Sequence, residues 1–218
     1  MALPNSCLLC RGAIVPAESF ICSPCLYALP NPSQRGAHSL GIDIKLKGLL
    51  PHNYSFALFG FNRGSKVRHL IHNMKYGGDG RLAYQVGIWM GAAIRQNGPY
   101  PAWDYIVPVP LHPGKLKERG FNQANKIAKG LSRVLGTVVL DALAKTSEQV
   151  TQTNLDRWHR FQNVSNQFKL TDPLPDGSKV LLVDDVMTTG ATLVACSQTL
   201  LQNPLQISLA VAALTSSH

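Results

Sequence analysis

Apolar residues along the chain fall into two kinds of run. Short stretches with little or no alternation predict strands: Tyr54–Asn62, Trp103–Val109, Thr137–Leu140, Gln167–Leu170, Lys179–Val183 and Gln206–Leu214. Between them the apolar positions recur every three or four residues, which is the helical period. Val67, Leu70, Ile71 and Met74 share one face of KVRHLIHNMKY, and Gly77-Gly78 ends it. Leu82, Val86, Met90 and Ala93 make the stripe of a helix over Arg81–Arg95, stopped at Gly98-Pro99. Ile127, Leu131 and Val134 do the same over Gln123–Leu135, and a further helix covers Ala191–Leu201. Strands that are apolar rather than alternating, separated by helices, predict an α/β fold with a mostly parallel sheet covered on both faces. Pro30, Pro32 and the stretch NPSQRGAHSLG read as a hinge or linker. The expected organisation is a small module over 1–35, a basic linker and helical segment over 36–98 that packs on the core, and the sheet domain over 99–218.

Ligand sites in such sheets lie beyond the carboxyl ends of the strands. There the sequence VLLVDDVMTTGAT, Val180 to Thr192, runs from an apolar strand into an acid pair and a hydroxyl- and glycine-rich turn. Asp184 and Asp185 can accept hydrogen bonds from two adjacent ribose hydroxyls, directly or through a divalent ion. Thr188, Thr189, Gly190, Ala191 and Thr192 can wrap a phosphate at a helix start. The pattern describes a sugar-phosphate binding device.

Charge and cysteines extend this picture. The 218 residues carry a formal charge of +9 with 45% hydrophobic content, which favours anionic partners on an ordinary globular chain. Residues 51–98 hold six Lys or Arg against one acid, whereas 99–218 hold eleven against nine. The excess outside the sheet domain points either to an anionic partner beyond a small substrate, such as nucleic acid met by Arg63, Lys66, Arg68, Lys75 and the amino-terminal module, or to a positive surface that merely keeps the protein soluble. His69 and His72 belong to the same basic helix, with no neighbouring acid or thiol to make a metal site. Cys7, Cys10, Cys22 and Cys25 form C-x2-C-x11-C-x2-C, two knuckles suited to one tetrahedral ion. Structural Zn2+ is expected; two disulfides and iron-sulfur or redox use are the alternatives. Cys196 sits alone in an apolar helical stretch and is assigned no chemistry. No apolar run reaches the roughly 18 residues of a membrane span, and the start MALPNSCLLC lacks a basic then apolar leader. The chain is expected to be cytoplasmic, with no membrane insertion.

The Val180–Thr192 stretch resembles the fingerprint of the type I phosphoribosyltransferases, which bind 5-phosphoribosyl 1-diphosphate (PRPP). Over nearly its whole length the chain also resembles the ComF family of competence-associated proteins, or GntX type. The likeness rests on the four cysteines, MKYGGD (Met74–Asp79), VPVPLHPGKLKERGFNQANKIAK (Val107–Lys129), QTNLDRWHRFQNV (Gln152–Val164) and the fingerprint. The resemblance implies an amino-terminal zinc finger, a type I phosphoribosyltransferase fold, PRPP bound with Mg2+, and a link to DNA uptake in natural transformation. The diphosphate would be met by Lys115, Lys117 and Arg119, aided by Lys145 or Arg157 from the loop between the second and third strands. Lys145 stands where members often carry Arg, in a mobile segment expected to close over the diphosphate. Lys keeps the charge and loses the bidentate fork. Two functions stay open: a protein of competence that binds PRPP and transfers its phosphoribosyl group to an unidentified nucleophile, and a non-catalytic PRPP sensor or scaffold that engages single-stranded DNA and a competence helicase.

Overall fold

Alternation along the central strand decides how the sheet is covered. In β6 (Lys179–Met187) the side chains of Val180 and Leu182 enter one core while Leu181 and Val183 enter the other. Successive residues of a strand point to opposite faces, so an uninterrupted apolar run demands a layer of helices on each side. The computed structural model describes residues 6–15, 18, 20–30, 37–61, 65–78, 80–146 and 167–215.

The other elements are α1 (Ser23–Tyr27), α2 (Ala37–Leu46), β1 (Tyr54–Phe61), α3 (Lys66–Tyr76), α4 (Arg81–Gln96), β2 (Tyr105–Pro108), α5 (Pro113–Arg119), α6 (Gln123–Leu135), β3 (Val138–Val139), β4 (Leu143–Lys145), β5 (Phe168–Leu170), α7 (Ala191–Leu200) and β7 (Gln206–Thr215). Among the described residues five strands form one sheet in the order β1-β7-β6-β2-β3, every pair parallel, and β4 and β5 form a separate antiparallel pair. One core packs α3, α4, α6 and the amino-terminal module against the first face; the other packs α2 and α7 against the second. The fold is thus the α/β arrangement with a parallel central sheet expected from the strand pattern, and of the type I phosphoribosyltransferase-like kind that the resemblance implies. The sheet draws its β1 edge from residues 54–61, which pair with 208–215. Among the described residues no helix is long and apolar enough to cross a membrane.

Two segments differ from the sequence expectation. AHSLG, expected to be part of a linker, opens α2, whose Ile42 and Leu46 are fully buried; residues 31–36 before it lie outside the described residues. KLKERG (Lys115–Gly120), for which the sequence pattern predicts neither helix nor strand, forms most of α5 and its Gly120 cap. No α5 residue is buried, so no apolar stripe announces this helix; its ends are instead set locally. Pro113 follows the start, His112 Nδ1 accepts the Gly114 N–H at 3.1 Å, and Gly120 closes the last turn at φ 78°. Asn122 then caps α6 by accepting the Ala124 N–H at 3.0 Å while its amide donates to the Val109 carbonyl at 2.9 Å. The end of β2 and the start of α6 are therefore tied together.

Candidate functional site

The connection β2–α6–β3 runs over one face of the sheet and β6–α7–β7 over the other, although β2 and β6 are neighbours. Chain direction reverses between them, which leaves a crevice at their carboxyl ends. Asp184 and Asp185 stand there, inside a strand four residues longer than the pattern implies, since β6 continues to Met187. Strand alternation sends the two carboxylates to opposite faces. Asp184 lies on the side of α7 and feels the charge of Lys145, and Asp185 turns toward α3, where its Oδ2 meets Lys75 Nζ at 3.0 Å. Asp184 Oδ1 also accepts the Asp185 N–H at 2.8 Å. Burial, reinforced by the neighbouring Asp185 charge, pushes the Asp184 carboxyl up to about 8, against the opposing pull of that N–H and of Lys75.

The turn after the acids has the shape of a phosphate cradle. Thr188 and Thr189 are exposed, Gly190 takes φ 87° at the start of α7, and Ala191 and Thr192 occupy its first turn. Thr189 Oγ1 accepts the Ala191 N–H at 3.4 Å. The last turn of α2 closes over this loop: Lys45 Nζ donates to the Thr188 carbonyl at 2.8 Å, and a Cβ on Gly190 would stand 2.6 Å from Leu46 Cδ2. Backbone N–H groups at a helix start and an adjacent ammonium suit a dianionic phosphate.

On the other side of the crevice, α5 brings Lys115, Lys117 and Arg119. Lys115 and Lys117 are exposed, whereas Arg119 is held. Its Nη1 donates to Gln123 Oε1 and its Nη2 to Tyr76 Oη, each at 3.2 Å, with the guanidinium 5.1 Å from the Tyr76 ring centre. Arg119 Nε and Gln123 Nε2 are buried and have no hydrogen-bond partner among the described residues, two donors of the kind an anion satisfies. Lys145 closes β4 and lies over Phe168, its Nζ 5.4 Å from the ring centre. Desolvation, then the charge of Lys115, hold its ammonium below the usual lysine range. It is anchored on the strand that leads into residues 147–166. Those residues, with Arg157 and the QTNLDRWHRFQNV motif, lie outside the described residues, as do Arg63 and Asp79.

The sequence groups Lys75 with the nucleic-acid cations, and the structure corrects that assignment. Lys75 follows the buried Met74 at the end of α3 and is directed to the carboxyl end of β6. Lys45, Lys75 and Tyr76 are thus site residues that sequence reasoning misses or misplaces. The signal available is MKYGGD itself, a charged and an aromatic residue directly after a buried helical position. Each carboxylate offers the hard oxygen ligand that Mg2+ takes from protein while it keeps its waters, so Asp185 on the α3 face and Asp184 on the α7 face each fit that ion singly.

A second centre lies on the outer side of α3. The sulfurs of Cys7, Cys10, Cys22 and Cys25 all lie within 4.8 Å of one another, and none is in a disulfide. Cys10 Sγ and Cys22 Sγ are 3.7 Å apart, matching the separation of about 3.8 Å that tetrahedral Zn–S bonds of about 2.3 Å impose. Backbone N–H groups around Cys7 overcome its burial and bring its thiol down to about 6, in the direction that favours a thiolate ligand, while burial pushes Cys25 up to about 12. The cluster is consistent with a zinc-binding module. All four positions are thiols, so the centre has no open place for substrate. The module is fastened to α3 by Asn73 Nδ2, which donates to the Leu8 carbonyl at 3.3 Å, and by Phe20, Ile21 and Leu29 in the shared core.

Residues 116–216 match the family model described as a phosphoribosyl transferase domain. The chain is 28% identical over 213 residues to the DNA utilization protein YhgH of Escherichia coli strain K12, covering 93% of each. It is 40% identical over 91 residues to Competence protein F of Haemophilus influenzae, 40% of each chain. Its backbone is loosely similar to adenine phosphoribosyltransferase from Saccharomyces cerevisiae, with a TM-score of 0.41 at 16% identity over 80% of this chain and 89% of that one. With the parallel sheet, the acid-and-threonine turn at its switch point and the four-cysteine module, the chain is similar over nearly its whole length to the DNA utilization protein and matches the phosphoribosyl transferase domain over residues 116–216.

Proposed function

We propose that the protein binds PRPP with Mg2+ at the β2–β6 crevice and serves DNA utilisation in the manner its competence-protein relatives' names suggest. One observation carries this: the acid pair and the threonine–glycine turn stand in sequence at a topological switch point, with Lys45, Lys75 and Arg119 around them. Thr188 to Thr192 hold the 5-phosphate, Asp184 and Asp185 orient the ribose hydroxyls, and Arg119 with Gln123 receives the diphosphate, aided by Lys115, Lys117 and Lys145. When bound, Mg2+ supplies positive charge to diphosphate and ribose oxygens. If a transfer occurs, a nucleophile forms a bond to C1 of the ribose and the C1–oxygen bond breaks, its electron pair leaving with the diphosphate. The acids answer the positive charge that builds on the sugar and the cations answer the leaving group. Calorimetric titration with PRPP in Mg2+ tests the reading. Asp185→Asn should weaken binding at least about tenfold; heatless titration of the unaltered protein would end it.

A second component is supported by the outward side of α3. Lys66, Arg68, His69 and His72 are exposed, and His69 and His72 line a groove of about 580 Å³ with Arg11, Leu8, Leu9 and Asn73 of the zinc module and helix. That surface favours weak, sequence-tolerant contact with single-stranded DNA, beside which a competence helicase would act.

A further inference from the structure

Lys75 and Asp185 are both largely enclosed, with side chains 26% and 15% exposed. An ammonium in that position neutralises the acid before any ligand arrives. A divalent ion and an ammonium cannot lean on one carboxylate without repelling each other, so the pair as it stands opposes metal entry. The neighbouring residue, Tyr76, is linked to Arg119 by a hydrogen bond and by a cation–π contact. Two consecutive side chains in the last turn of α3 therefore hold the acid pair on one side and the basic helix on the other. Directly after them come Gly77 and Gly78, the latter at φ 137°, a conformation reserved for glycine. The helix therefore ends on two residues without side chains.

We propose that Lys75 is a resident counter-ion of the acid pair that exchanges with the divalent cation, so that metal entry releases the last turn of α3 and, through Tyr76, loosens Arg119 for the diphosphate. This rests on the phosphoribosyl reading of the crevice, but the exchange itself is a property of the chain and the metal alone. Lys75 acts as a positioning residue, setting the order in which charge enters the site: metal first, then the freed cations onto the ligand.

The test uses the full chain and Mn2+, with no PRPP, followed through the electron paramagnetic resonance of the free ion. Removing the ammonium should raise Mn2+ affinity: even screened as in bulk water, a unit charge about 4 Å from a divalent ion is worth more than about tenfold. Lys75→Met should therefore bind Mn2+ at least about tenfold more tightly, Lys75→Arg should match the unaltered protein, and adding Asp185→Asn to Lys75→Met should remove the gain. A gain of affinity cannot come from a damaged fold. Equal affinities in Lys75→Met and the unaltered protein would overturn the exchange. A second measurement needs no variant: acetylation of Lys75, read by mass spectrometry against Lys66 on the same helix, should speed up on adding Mn2+. A rate indifferent to the metal would also overturn it. Should PRPP fail to bind while both effects are seen, the exchange stands and the ligand assignment falls. Should PRPP bind with Mn2+ affinity unmoved by Lys75→Met, the ligand assignment stands and the exchange falls.

Discussion

Replacing Gly190 by alanine separates two reasons for a glycine in the phosphate turn. Its φ of 87° lies in the left-handed region, where a Cβ costs about 1–2 kcal/mol. The added carbon would also sit 2.6 Å from Leu46 Cδ2 and 2.8 Å from Met187 Cε. Both are ends of flexible side chains, but Leu46 is fully buried and Met187 nearly so, which brings an overpacking cost of about 1–3 kcal/mol. Gly136 closes α6 at φ 77°, and a Cβ added there would meet nothing within 4 Å, so it supplies the control for backbone strain alone. Gly136→Ala should lower stability by about 1–2 kcal/mol and Gly190→Ala by about 2–5 kcal/mol, the difference being the contacts with Leu46 and Met187. At this size each kcal/mol moves Tm by about 2–4 °C, so calorimetric scans should resolve the two variants. Pushing Leu46 away also moves Lys45 from the Thr188 carbonyl, and ribose 5-phosphate should then bind at least about tenfold more weakly to Gly190→Ala while Gly136→Ala is unaffected. Equal destabilisation by the two substitutions would refute the claim that α2 braces the turn.

Metal analysis of protein purified without added metal should find one zinc per chain, and Cys22→Ala should lose it; no metal together with two disulfides by mass would refute the assignment. The Asp184 carboxyl, raised to about 8 in the fold, binds its proton more tightly there than in the unfolded chain. Its contribution to stability is therefore present below the ordinary carboxylate range and is lost as pH rises toward 8. Asp184→Asn should accordingly be the more stable protein at pH 8, with the advantage shrinking at pH 5; an advantage independent of pH would contradict the burial argument. Lys45→Met should weaken ribose 5-phosphate binding and Lys45→Arg should restore most of it, as measured by calorimetry. Single-stranded DNA binding should fall log-linearly with salt, and neutralising Lys66 and Arg68 together should reduce the slope by about 1.4, at about 0.7 per lost phosphate contact, in a fluorescence titration.

The most legible parts of the chain are those whose burial leaves a period in the sequence. The α6 helix runs over Gln123–Leu135 as its Ile127 and Leu131 stripe implies, and the β6 strand and its turn follow from four apolar residues and the acids. Helix α5 is not legible, because capping at His112 and Gly120 holds it and its one large apolar residue, Leu116, is 42% exposed. Helix α2 is hidden by Gly41 and by the turn-rich residues before it. At the site, the adjacency of Asp184 and Asp185 in sequence gives no hint that the strand divides them between two faces. Nor can composition tell a cation that meets solvent, such as Lys66, from one nine positions later that reaches a carboxylate more than a hundred residues away, as Lys75 does.

The strand order carries a consequence for how the molecule is made. Among the described strands β7 is the last in chain order, yet it lies between β1 and β6, pairing residues 206–215 with both. During synthesis β1 waits with no sheet partner while some 150 residues follow it, and β6 remains an open edge until β7 has left the ribosome. Strands β2 and β6 can pair before that, but α2, which packs on β1, reaches the turn after β6 only once β7 joins the two. Helices and the cysteine module can form early, whereas the complete ligand site waits for β7 to insert. A nascent chain halted before residue 206 exposes two unpaired apolar edges, and is a form for chaperones or proteases to meet rather than a partly active protein.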